Sequence, residues 1–157
     1  MSFVSDLGEA IATAITSGSS NFTGIGGLNA EYGDQPKDFN VKTARAYVRS
    51  DGHEVLEDYE ASAHSIFRFL IFVAVIDVKA ANESLGVLQH GLRNVFINSG
   101  RTILNTHLTD TGSNRLAKSG ECRLTSELEA IDNLENKDHP MMMCRAEVEC
   151  WHVMPLV

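Results

Sequence analysis

Met141-Met142-Met143-Cys144-Arg145-Ala146-Glu147-Val148-Glu149-Cys150-Trp151-His152-Val153-Met154 alternates with a period of two. The even positions hold Met142, Cys144, Ala146, Val148, Cys150, His152 and Met154, while Arg145, Glu147 and Glu149 fall on odd ones. Such alternation marks a strand with one face in a core and the other in solvent or against a partner. Residues 121–131 repeat it, with Cys122, Leu124, Leu128 and Ala130 inward and Glu121, Arg123, Thr125, Glu127 and Glu129 outward. A loop over residues 132–140 makes the two segments a hairpin. Pairing Ile131 with Met141 sets Glu127 opposite Arg145 and Arg123 opposite Glu149, two complementary cross-strand pairs. The same register places Cys122 opposite Cys150 on the inward face. A two-residue slip that sets Glu127 against Glu147 is repulsive.

Upstream of the hairpin, residues 66–78 form the strongest apolar run. Phe67, Phe69, Ile71, Val73 and Val75 share one face; Ile66, Leu70, Phe72, Ala74, Ile76 and Val78 share the other. A strand apolar on both sides belongs in mid-sheet, covered on both faces or covered on one and packed against a neighbouring subunit. Phe67, Phe69, Ile71, Phe72 and Val73 are therefore the candidate core or subunit-interface residues. A helix opening at Asn82 or Ser84 and running to about Asn98 carries Leu85, Leu88, Leu92, Val95 and Phe96 on one stripe. Gly86 and Gly91 weaken it and point to close packing there.

Near the start of the chain, Phe3, Val4, Leu7, Ile11, Ala14 and Ile15 recur at helical spacing, with Ser2 as the cap and Ser17-Gly18 as the stop. Residues 18–42 read as a long glycine-rich loop, of the kind that is commonly functional or disordered. Residues 44–49 read as a short strand, followed by a hairpin-type turn at Ser50-Asp51-Gly52. Residues 53–61 extend the sheet or form a loop, and residues 105–120 are a polar, turn-rich loop. The fold class that follows is α+β: one domain over residues 1–157, a mostly antiparallel mixed sheet with an N-terminal helix and a second helix packed on one face.

Composition narrows the function. The 157 residues carry a formal charge of −8, with 43% hydrophobic and 22% charged side chains. An acidic surface does not grip nucleic acid by counterion release, yet it suits a surface past which a polyanion slides. Residues 69–76 are too few to span a bilayer, so no membrane association is expected. No basic region followed by an apolar core and cleavage site opens the chain, so no secretory signal is expected. The three cysteines form no CxxC pair and suit a reducing compartment, as small apolar residues.

No motif carries catalysis. Cys122, Cys144, Cys150 and His152 resemble metal ligands only loosely, because Cys-x5-Cys along a strand closes a tetrahedron poorly. Gly24-Ile25-Gly26-Gly27 lacks both the Lys-Ser/Thr of a P-loop and the context of a dinucleotide site. His53, His64, His90, His107 and His139 are scattered. The expectation is no enzyme, no cofactor and no metal. Glu127, Glu129, Glu147 and Glu149 form a candidate acidic patch facing a lumen or a partner, partly balanced by Arg123 and Arg145. Met141, Met142 and Met143 are an adaptable contact patch or a core edge.

The order of elements resembles the tail terminator, or tail completion, proteins of long-tailed bacteriophages. The resemblance rests on the helix at residues 3–15, the strand at residues 65–78, the helix at residues 85–96 and the segment 144–153. It implies a homohexameric ring that caps the tail tube, stops its polymerisation and offers the head-joining face. It further implies a virion location at the head-proximal end of the tail, after assembly in the host cytoplasm. The implied partners are the chain itself, the tail tube protein and a neck or head-completion protein, with DNA passing through the lumen without specific binding. A neck adaptor ring is the competing reading within assembly proteins. A small α+β enzyme or ligand-binding domain, with a pocket between the central strand and a helix and with Arg68, Asp77 and His64 flanking the strand as its candidate polar groups, is the competing reading from another class.

Overall fold

The computed structural model describes residues 3–25, 27–33, 44–59, 62–75, 78–98, 121–131 and 141–153. Helix α1 spans Phe3–Ser17, a 3-10 helix spans Ser19–Ile25, and helix α2 spans Val78–Asn98. The strands are β1 (Asn29–Tyr32), β2 (Arg45–Tyr59), β3 (Ser62–Ala74), β4 (Glu121–Leu124), β5 (Glu129–Ala130) and β6 (Met141–Val153). They form one sheet in the order β1-β2-β3-β6-β4, with β5 also on β6. Among the described residues only β1 and β2 run parallel, and the other pairs are antiparallel. The fold is α+β, with a mixed sheet and two helices.

The long apolar strand is central because both its neighbours bury its inward residues. β2 and β6 flank β3, and Phe67, Phe69, Ile71 and Val73 are fully buried. Their partners across the ladder, Val148, Ala146, Cys144 and Met142, are buried on the same face. Phe3, Leu7, Ile11 and Ile15 of α1 and Leu88, Leu92, Val95 and Phe96 of α2 join them in one core. Each such side chain contributes about 1.5–3 kcal/mol on burial. Tyr47, Leu70 and Ala74, on the opposite face, are buried but lie outside this cluster. Both helices therefore cover one face of the sheet.

Two junctions hold the helices in place. The Gly18 amide donates to the Ala14 carbonyl at 3.0 Å, closing α1 where Ser17-Gly18 was expected to stop it. Downstream, the Ala30 amide donates to Thr16 Oγ1 at 2.9 Å, which ties the end of α1 to β1. At the α2 contact, a Cβ on Gly91 would stand 2.4 Å from the Phe22 ring, so only glycine lets the 3-10 helix approach. Gly86 has open space around it, and its glycine is not required by packing.

The structure corrects several expectations from the sequence. Ser50-Asp51-Gly52 is not a turn. It lies inside β2 as a bulge, where register shifts between Ser50 and His53 and Gly52 takes φ +93. The acidic stretch, by contrast, takes the first of its two expected forms and extends the sheet to Tyr59, with a second irregularity between Val55 and Glu57. Residues 18–42 are not one loop, since the 3-10 helix and β1 both fall within them. β3 ends at Ala74 and α2 begins at Val78, earlier than Asn82 or Ser84. The Ser84 hydroxyl bonds back to the Ala80 carbonyl at 2.5 Å inside the helix instead of capping it. Ser2 and the expected loops at 105–120 and 132–140 lie outside the described residues.

Candidate functional site

The face of the sheet opposite the helices carries a band of alternating charge. It arises because every odd position of β6 and every even position of β3 point to that side. Arg68 Nη2 lies 3.0 Å from Glu54 Oε2 on β2, and its Nε lies 3.6 Å from Glu147 Oε1 on β6. Arg123 on β4 reaches the same Glu147 at 3.6 Å and Glu149 at 3.9 Å. His64 Nε2 closes the series 3.0 Å from Glu149 Oε1, and its ring stacks on Trp151 at 5.0 Å. Opposite charges placed across strands contribute a few tenths to about 1 kcal/mol each. The band also orders these side chains over the outer face of the sheet.

The register explains which partners meet. β5 keeps the expected pairing, with Ala130 opposite Met142 and the Ile131 amide donating to the Met141 carbonyl at 3.1 Å. β4 is displaced by two residues, so Arg123 stands opposite Glu147 and Cys122 opposite Val148. Residues 125–128 absorb the difference. The Thr125 amide donates to the Arg145 carbonyl at 2.9 Å, and the Arg145 amide donates to Ser126 Oγ at 2.9 Å. This excursion drops Leu128 into the core and turns Glu127 away from Arg145. Ala130, expected inward, is exposed at the edge of the sheet.

The four candidate glutamates consequently occupy three environments. Glu147 and Glu149 lie together in the charged band. Glu127 bonds Arg93 of α2, at the helix side of the sheet. Glu129 is exposed on the outer face opposite Met143. The candidate strand divides in the same way: Phe67, Phe69, Ile71 and Val73 are core, whereas Phe72 is half-buried on the outer face with the Arg49 guanidinium 5.7 Å above its ring.

The cysteines are buried and free. Burial pushes the Cys122 thiol far up, with the neighbouring Cys150 adding to it. Burial likewise raises Cys144 and Cys150 to about 12, with Glu127 and Glu149 respectively contributing. Thiols held protonated are poor nucleophiles and poor ligands. Among the described residues, no group of three or more His, Cys, Asp or Glu side chains is placed to hold a metal. The Gly27 amide donates to the Phe22 carbonyl at 3.0 Å, so it is engaged within its own turn. Asp77, His107 and His139 lie outside the described residues. No helix among the described residues is long and apolar enough to cross a membrane.

A buried pair escaped the sequence reading. Ser65 Oγ and His152 Nε2 share a hydrogen bond of 2.8 Å, and both residues are fully buried. Phe3 stacks on the His152 ring at 5.1 Å and Phe67 meets it edge-on at 5.3 Å. A Ser–His contact sealed in this way satisfies two polar groups inside a core and offers no path to a substrate. The partners are 87 positions apart, and only the β3–β6 register unites them.

One open groove of about 590 Å³ runs between the end of α2 and β4, lined by Phe96, Ile97 and Leu124 with Arg93 and Arg123. No protein-family model matches this chain, and no curated protein matches it.

Proposed function

We propose that this chain is a virion structural protein of the tail terminator type. In this reading it forms a homohexameric ring that caps the tail tube of a long-tailed bacteriophage, stops tail polymerisation and offers the head-joining face. The observation that supports the reading most is the one-sided architecture. Both helices cover one face of the sheet, and the other presents an ion-paired band from Glu54 through Arg68, Glu147 and Arg123 to Glu149. Such a band suits contact with another protein surface or a solvent-filled channel better than it suits turnover, since its charged groups already pair with one another. With a formal charge of −8, a ring of these chains would let DNA pass through its lumen without binding it.

The test is to add the purified protein to polymerising tail tubes and image them. Capping predicts tubes of arrested length with a ring at one end. Tubes that grow unchanged and bind no protein overturn the reading, and binding to a portal complex instead would support a neck adaptor. The lumen is tested separately with Glu147→Lys/Glu149→Lys. Retention of DNA by the variant assembly is expected if these residues line the channel, and unchanged passage would remove them from it.

A further inference from the structure

β2 is polarised along its length, and its register sets Glu54 and Glu57 on the outer face of the sheet and Val55 and Asp58 on the helix side. The far part of the strand carries Glu54, Val55, Leu56, Glu57 and Asp58, all exposed, with Val55 and Leu56 each at 43%. β1 pairs β2 only from Arg45 to Val48, so among the described residues no strand lies along the β2 edge beyond that point. Glu54 is engaged by Arg68, but Glu57 and Asp58 make no ion pair among the described residues. The result is an acidic arm with two exposed aliphatic side chains.

The near part is of opposite character. Arg49, Leu70 and Arg145 lie in one row across β2, β3 and β6. Both arginines are exposed, and half-buried Phe72 and Met143 fill the adjoining row. Glu31 and Glu129 border it opposite Tyr47 and Met143, and Glu147 in the next row is paired with Arg68 and Arg123. Arg145 makes no ion pair among the described residues. At roughly 3.3 Å per residue, β2 holds the arm and the arginine surface too far apart to meet within one chain.

We propose that the arm, residues 54–58, docks on the surface formed by Arg49, Phe72, Met143 and Arg145 of a second copy of this chain. The two patches differ, so the contact is head-to-tail, and head-to-tail contacts close into rings when the rotation permits. Leu56, the extra residue of the second bulge, meets the Phe72 and Met143 side chains, and the charges around them set orientation and exclude wrong partners. The bulges at Ser50/His53 and Val55/Glu57 break the regular hydrogen-bond edge, so the arm joins its partner through side chains and not by extending the sheet. This inference deepens the ring reading above and rests on it.

Charge reversal tests it with the full chain. Arg49→Glu/Arg145→Glu and Glu57→Arg/Asp58→Arg are each expected to remain folded by circular dichroism and to lose the oligomer in light scattering and negative stain. An equimolar mixture of the two variants is expected to recover it, because each variant's arm then matches the other's surface. If a reversal unfolds the chain, Arg145→Gln and Glu57→Gln are read instead, each expected to weaken association. A wild type that stays monomeric at every concentration, a reversal or neutralisation without effect, or a mixture that fails to recover the oligomer overturns the inference. Recovered rings that ignore tail tubes leave this interface standing and overturn the capping reading. Tube capping by the reversed variants does the opposite.

Discussion

Phe3 stacks on His152 at 5.1 Å, so the first turn of α1 is fastened to the last turn-free stretch of β6. Both side chains are almost completely buried, and Phe67 packs edge-on against each of them. This contact joins the two ends of the described chain through the central strand. Replacing Phe3 with Ala should cost about 3–5 kcal/mol, as large aromatic deletions in cores do. Urea melts of the variant check it; a loss under about 1 kcal/mol would mean that α1 is held elsewhere.

Ser65→Ala removes the hydroxyl that shares a hydrogen bond with His152 Nε2 inside the core. The expected loss is about 1–3 kcal/mol. Ser65→Thr, which keeps the hydroxyl, should recover part of it if the added methyl fits. Equal stability of the Ala variant and wild type would show that the hydrogen bond contributes nothing.

Val73 and Phe72 are adjacent in sequence and face opposite ways. Val73→Asp places a lone carboxylate at a fully buried position against Ala46 and Met142 and should abolish cooperative unfolding. Phe72→Asp substitutes a half-buried residue under Arg49 and should leave a folded protein, destabilised by about 1–2 kcal/mol. Circular dichroism melts of the pair decide whether the outer face is as dispensable to folding as its exposure implies.

The three buried thiols give stability a pH dependence on the alkaline side. Their folded-state values are raised, so the folded protein keeps protons that the unfolded chain releases once pH passes the ordinary thiol value near 9.0. Their contribution is constant below that value and is lost as pH rises toward about 12, with a slope of up to roughly 1.4 kcal/mol per pH unit per thiol. Urea midpoints between pH 7 and 10 should fall for wild type and fall less steeply for Cys144→Ala. Parallel curves would mean that other groups govern the alkaline loss.

Gly86 and Gly91 separate under the same substitution. Gly86→Ala meets nothing within 4 Å and should raise stability by about 1 kcal/mol through helix propensity. Gly91→Ala drives a methyl into the Phe22 ring and the Asn21 carbonyl, and should cost about 1–3 kcal/mol. Thermal melts with shifts of opposite sign are expected.

Much of this architecture was legible because it is written in period. The two-residue repeat of β6 placed Met142, Cys144, Ala146, Val148, Cys150 and His152 on the buried face, and all six are buried. The three- and four-residue spacing of Phe3, Leu7, Ile11 and Ile15 located α1, because a helix that buries one stripe must repeat it. The centrality of β3 followed from its being apolar on both faces, since only a central strand has a use for that.

What the period of a strand does not contain is where the strand breaks. Residues 125–128 keep the alternation on paper while looping out, so complementary charge selected a register that holds at Ala130 and fails at Arg123. The reason is energetic: Leu128 gains burial and Ser126 gains the Arg145 amide, and together these outweigh exposed charge pairs worth under about 1 kcal/mol. Gly52 misled in the same manner, because a positive φ serves a bulge as well as it serves a turn. Pairing among Glu54, Arg68, Glu147, Arg123, Glu149 and His64, and the union of Ser65 with His152, depend on four strands meeting. Local pattern determined which side chains α1 and β6 hide. Only the tertiary structure decided their neighbours, because contacts between strands are set by the packing of the whole sheet and not by any one segment.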